Sequence, residues 1–222
     1  MNDVDSQDWK AIGALWGTVS APARGPRARS SVVEVARAGV GLADRVGLEG
    51  TTLAAIAAEL GLTTTALYRY VDSKETLVEV MVDEAVGLPP PPPGPGTPWA
   101  DDVRTWAAAL LDVYLAHPWL SDVRPTGPPR CPHGMAWYER ILPTLDDAPF
   151  ADPTNVILQL NVLIRGYSAL SHSVQADGAP PAWFGAEVAE RYPRLVAEAS
   201  RPRGGIVDEL WISIDRLLAA PA

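Results

Sequence analysis

The chain has 222 residues, 47% of them apolar and 20% charged, enough for one large domain or two small ones and too apolar for general disorder. No window approaches about eighteen uninterrupted apolar residues, and the start, MNDVDSQDWK, is acidic, so neither a membrane span nor a secretory signal is read and a cytoplasmic location is expected. One cysteine, Cys131, and three histidines exclude an internal disulfide and leave metal or acid-base chemistry few candidates; no metal and no cofactor are expected.

The net charge of −9 argues against nucleic acid until its placement is considered. Residues 24–74 carry seven cations against five acids, whereas the remainder carries eleven against twenty-two. This asymmetry is the pattern of a nucleic-acid module joined to an acidic body.

In chain order, residues 1–29 form an amino-terminal extension. Within it Ser6 can cap a short helix whose Trp9, Ile12, Leu15 and Trp16 share a face that must dock on something. APARGPRAR then presents three arginines on a backbone that proline keeps extended, an arm suited to a minor groove or a solubilising linker. Residues 30–88 make the first unit, opening with a helix over 30–46 that places Val32, Val33, Ala36, Val40, Ala43 and Val46 on one face and stops at Gly47. The proline-rich stretch 89–98 is a stiff spacer that no helix crosses. The second unit, 99–222, shows helical periodicity over 99–116, 132–145, 154–176, 184–199 and 205–219, with no alternating strand pair. The fold class is all-α.

Residues 50–77, GTTLAAIAAELGLTTTALYRYVDSKETL, hold the informative motif. Thr52 caps a first helix, Gly61 stands where the chain must turn left-handed, and Thr63 caps a second helix running to about Tyr70. Ala57 is small where the helices cross, and Ile56, Leu60, Leu62 and Leu67 supply a shared core, which defines a helix-turn-helix. Thr64, Thr65, Tyr68 and Arg69 project from the opposite face, with hydroxyls, a methyl-bearing surface and a guanidinium suited to base edges. Ser73 caps the next helix, where Lys74 and amide hydrogens can meet a phosphate. The plain alternative is a helix pair with a solvated polar face.

The wording LGLTTTALYRYVDSKETL, extended upstream through VVEVARAGVGLADRVGLEGTTLAAIAAELG, closely resembles the DNA-binding region of the tetracycline-repressor (TetR) family of transcriptional regulators. The resemblance implies that Thr52, Thr63, Thr64, Thr65, Tyr68 and Arg69 face DNA and that Tyr70 and Lys74 contact phosphate. The chain departs from many members at Ala54 and Ala55, where a basic or polar residue is common. WADDVRTWAAALLDVYLAHPWL and the final DELWISIDRLLAA resemble the family's ligand-binding, dimerising half less specifically. They imply a homodimer with a four-helix interface, double-stranded operator DNA as partner and a small-molecule effector that changes the separation of the reading helices.

In the second unit, Trp106, Leu110, Tyr114, His117, Trp137, Tyr138, Asn161 and Arg165 are the candidate ligand-facing residues, aromatic walls with a few polar anchors. Plain core is the alternative for the aromatics. Asn161, Arg165, Ser168 and His172 form a polar stripe that can face solvent, a dimer partner or a ligand. Leu210, Trp211, Ile214 and Leu217, on an apolar stripe too broad for one side of a small domain, are the candidate dimer residues. GYSAL at 166–170 fails the nucleophile-elbow pattern and AGVGLAD lacks the third glycine of a phosphate loop, so no enzyme is expected. The expectation is a ligand-responsive regulator, a repressor by its resemblance to the family; a ligand-independent architectural DNA binder and a cofactor-free hydrolase are the alternative readings.

Overall fold

The computed structural model describes residues 9–18, 30–176, 180–202 and 204–219, and among them every regular element is a helix. The helices are α1 Trp9–Leu15, α2 Val32–Gly50, α3 Leu53–Glu59, α4 Thr64–Leu67, α5 Lys74–Val86, α6 Trp99–Ala116, α7 Pro132–Asp146, α8 Pro153–Ala176, α9 Ala182–Arg191, α10 Pro193–Ala199 and α11 Ile206–Ala219. A 3₁₀ turn, Pro118–Asp122, follows α6, where only a break at Pro118 was expected. Ser6 and the arginine arm lie outside the described residues.

Local chemistry accounts for the start of α2. Ser31 Oγ accepts from Glu34 N–H at 3.1 Å while Glu34 Oε2 accepts from Ser31 N–H at 2.7 Å, a reciprocal capping box. Gly47 adopts φ +74 as expected of a stop, yet helical turns resume to Gly50, so the element kinks rather than ends. The buried face also differs from the expected one. Val35, Ala36, Gly39, Val40 and Ala43 point inward, whereas Val33 and Val46 are exposed. Val33 follows Val32 by one residue, about 100° around the helix, and cannot share its face.

Helices α2 and α5 pack along each other. Their close approach is made by Gly39, where a Cβ would sit 2.7 Å from Met81 Sδ. Helix α1 docks on both, with Ala11 and Ile12 fully buried, so the tail helix completes the first core. Trp16 Nε1 donates to the Arg130 carbonyl at 2.9 Å, and the Arg130 guanidinium lies 5.1 Å from the Trp9 ring centroid.

The first core gathers residues of α1 to α5 together with Trp119 and Leu120 of the 3₁₀ turn. The second gathers α6, α7, α8 and α11 around Trp106, Ile141, Leu160, Ile164, Leu210 and Ile214. The proline stretch is held to this second body. Arg140 of α7 donates to the Pro90 carbonyl at 3.0 Å and the Pro91 carbonyl at 3.3 Å. The same guanidinium pairs with Asp102 of α6, and both side chains are almost completely buried. The helix expected over 184–199 is two helices, because Tyr192 leaves helical geometry before Pro193, whose ring is tolerated only at a helix start.

Candidate nucleic-acid interface and apolar cavity

The helix-turn-helix forms from the residues expected to form it. Thr52 Oγ1 accepts from Ala55 N–H at 3.2 Å, and Thr63 Oγ1 accepts from Ala66 N–H at 3.1 Å. Between them Gly61 takes φ +64, and Leu62 N–H donates back to the Ala57 carbonyl at 2.8 Å, closing the first helix. Ile56, Ala57 and Leu67 are buried where α3 and α4 meet, with Leu60 and Leu62 packed around them. The second helix is shorter than expected: α4 is regular only over Thr64–Leu67, and residues 68–70 continue as tighter turns. Arg45 of α2 pairs with Glu59 at the end of α3, tying the motif to its support.

Thr52, Thr63, Thr64, Thr65, Tyr68, Arg69 and Lys74 are all exposed on this unit. Tyr70 is half-buried against the first core, so its ring anchors the motif while the residue sits at its rim. Ser73 Oγ accepts from Thr76 N–H at 3.0 Å, which places Lys74 in the first turn of α5. Thr52 and Thr63 oxygens serve as caps, leaving each hydroxyl hydrogen available to a neighbouring acceptor.

A cavity of about 220 Å³ opens where α5 meets α6 and α7. Six of the eight expected ligand-facing residues line it: Trp106, Leu110, Tyr114, Trp137, Tyr138 and Asn161. Trp106 Nε1 donates to the Trp137 carbonyl at 3.0 Å, and Trp137 Nε1 donates to the Gly87 carbonyl at 3.0 Å, so both indoles turn carbon surface to the space. Burial pushes the phenols of Tyr114 and Tyr138 above their ordinary pKa of 10.0.

The other two do not line the cavity, because each is committed elsewhere. His117 Nδ1 lies 2.8 Å from Asp44 Oδ1 of α2. Arg165 donates from Nε to the Ser121 carbonyl at 3.1 Å and from Nη2 to the Val123 carbonyl, so it grips the 3₁₀ turn. The polar stripe of α8 therefore divides: Asn161 faces the cavity, Arg165 the turn, and Ser168 is fully buried.

Sequence reasoning missed the α5 wall, Glu79, Val82, Asp83 and Val86, and the loop residues Arg130 and Cys131. The spacing of the four α5 residues does mark one helix face, though not what it faces. Glu79 pairs with Arg130, whose Nε donates to it at 2.9 Å. Asp83 is almost fully buried and accepts from Gly134 N–H at 2.9 Å, while His133 Nδ1 donates to the Asp83 carbonyl at 2.9 Å. Burial raises the Asp83 carboxyl above 3.8 against the lowering effects of Gly134 and His133. Burial, with Asp83 and Glu79 nearby, pushes the Cys131 thiol up to about 12, which makes it an inert wall residue rather than a nucleophile.

A reading motif, a supporting helix that runs from that motif to a cavity, and a separate helical body together define a DNA-binding regulator. Family comparison agrees. Residues 35–81 match the model of bacterial regulatory proteins of the tetR family, and residues 91–178 match the tetracyclin repressor-like C-terminal domain. The HTH-type transcriptional repressor DrrR1 of Streptomyces coeruleorubidus is 34% identical over 161 residues, a match covering 71% of this chain and 58% of that repressor. Apo ActR of Streptomyces coelicolor superposes with a TM-score of 0.70 at 20% identity, covering 90% of this chain and 95% of ActR. ActR in complex with (S)-DNPA superposes at 0.68 with 18% identity, covering 86% and 96%. This chain belongs to the TetR family of transcriptional regulators.

Proposed function

We propose that the chain is a repressor that binds a palindromic operator as a homodimer in the cytoplasm and leaves it when a small molecule fills the cavity. One observation carries the reading. Helix α5, capped by Ser73, begins with Lys74 beside the reading motif and ends with Asp83 and Val86 in the cavity wall. A ligand that binds better when α5 is displaced shifts the reading unit with it, and only such differential affinity moves the equilibrium. The ActR complex with (S)-DNPA supports a ligand site in this fold.

In this reading Thr64, Thr65, Tyr68 and Arg69 meet base edges, and Thr52, Thr63, Tyr70 and Lys74 meet the backbone. Two such motifs sit about 34–36 Å apart across a dimer, one turn of duplex. The dimer face is formed by α8 and α11, which carry exposed Leu158, Val162 and Ile212 beside half-buried Trp211 and Leu217. Leu210 and Ile214 serve a different purpose: both are fully buried in their own subunit's core.

Selection of genomic fragments by the purified protein, followed by sedimentation of the protein with the enriched duplex, tests this. The expected result is one palindromic motif bound by two chains. Absence of an enriched motif, or binding by a single chain, overturns it.

A further inference from the structure

Three facts fix the chemistry that the cavity can accept. Its walls are aromatic: Trp106 and Trp137 stand edge to face with centroids 5.5 Å apart, and Tyr114 and Tyr138 add two more rings. Its indole hydrogens are already bonded to backbone carbonyls, so those walls offer π faces and not donors. Its acidic side chains outnumber its cations. Glu79 is matched by Arg130, whereas Asp83, 3% exposed, meets the backbone N–H groups of His133 and Gly134 and the His133 ring, 3.4 Å from Oδ2, but no guanidinium or ammonium.

The His133 Nδ1 hydrogen is held by the Asp83 carbonyl, so the ring does not donate it to this carboxylate. A buried anion among aromatic faces is poorly solvated, and the group that relieves it is a cation, which the same π faces also attract. An anionic ligand meets repulsion from Asp83 and finds the cavity's guanidinium already paired with Glu79.

We infer that the cavity selects flat aromatic molecules bearing a positive charge, with Asp83 as the residue that recognises the cation and the Trp106, Trp137, Tyr114 and Tyr138 rings as the stacking walls. The inference rests on the cavity being the effector site. Its specificity element lies on α5, so the residue that reads the ligand's charge belongs to the helix that carries Lys74 to the DNA.

A charge series on one ring system tests it. 2-Naphthylmethylammonium, 2-naphthalenemethanol and 2-naphthoate are titrated into the DNA-free protein by calorimetry and tryptophan quenching at neutral pH. The ammonium compound is expected to bind at least about tenfold more tightly than the alcohol, with the carboxylate weakest. In Asp83→Asn, which keeps an acceptor for the Gly134 N–H, the ammonium and the alcohol are expected to bind alike. Equal binding across the series in the wild-type protein, tighter binding of the carboxylate, or a preference that survives in a folded Asp83→Asn protein overturns the assignment. Operator release is measured separately: a cation that binds without releasing DNA leaves the assignment standing and overturns the effector reading, whereas release by the carboxylate alone does the reverse.

Discussion

Asp44 of α2 and Trp119 of the 3₁₀ turn are joined by a hydrogen bond of 2.8 Å from the indole Nε1 to Asp44 Oδ1, the oxygen that His117 also meets at 2.8 Å. This carboxylate fastens the DNA-binding unit to the end of α6, and Arg165 of α8 holds the far end of the same turn. The cavity residue Asn161 lies one helical turn from Arg165 on α8. The contacts form a second connection between the two bodies, independent of α5.

Removing the Asp44 carboxylate leaves the indole hydrogen of a buried Trp119 without its acceptor. Asp44→Ala should cost about 1–3 kcal/mol in urea unfolding. It should also raise the effector concentration needed for operator release, because one of the two connections is gone. A variant with unchanged stability and unchanged release would show the contact to be incidental.

At the reading motif, Arg69→Ala should weaken operator binding by about 1–3 kcal/mol and relax preference at one base pair per half-site, whereas Lys74→Ala should weaken all duplexes alike and lower the salt slope by about one. Mobility shifts on mutated operators at two salt concentrations separate the outcomes. Gly61→Ala should destabilise the unit by about 1 kcal/mol through backbone strain alone, since its φ is +64 and no atom lies within 4 Å of the added Cβ.

The face proposed to pair subunits can be separated from the core that builds each one. Val162 is 62% exposed and Leu210 is fully buried. Val162→Glu should give folded monomers that lose operator binding, while Leu210→Asp should unfold the second body by placing an unpaired charge in its core. Sedimentation with circular dichroism reads both. A folded, dimeric Val162→Glu protein would move the interface elsewhere.

Burial by itself would raise the Asp102 carboxyl, but the hydrogen bonds from Arg140 and Thr144 outweigh it and hold the group below its ordinary 3.8. A depressed folded value means that Asp102 contributes stability above its unfolded pKa, near 3.8, and that the contribution is lost as pH falls through the lower folded value. Asp102→Ala, which strands a buried guanidinium, should cost about 3–5 kcal/mol near neutral pH, and the gap to wild type should narrow in acid. Thermal melts from neutral pH downward measure it. Because Arg140 also holds the Pro90 and Pro91 carbonyls, the variant should loosen the proline stretch, seen as faster proteolysis there.

The reading motif was legible in the sequence because its determinants are local. The Thr52 and Thr63 caps and the left-handed Gly61 act within a few residues of their own positions, so side-chain type and spacing decide them before any packing occurs. Periodicity likewise marked the helices of the second body and most of the cavity's aromatic wall. What periodicity cannot say is which neighbour covers a face. The stripe containing Leu210 and Ile214 reads the same whether a partner subunit or α8 of the same chain buries it, and the tertiary structure chose α8. His117 and Arg165 were drawn from the cavity by Asp44 and by the Ser121 carbonyl, acceptors far away in the chain. Asp83 became a cavity residue because α5 is shared between two bodies, a fact of packing that no single stretch of sequence contains.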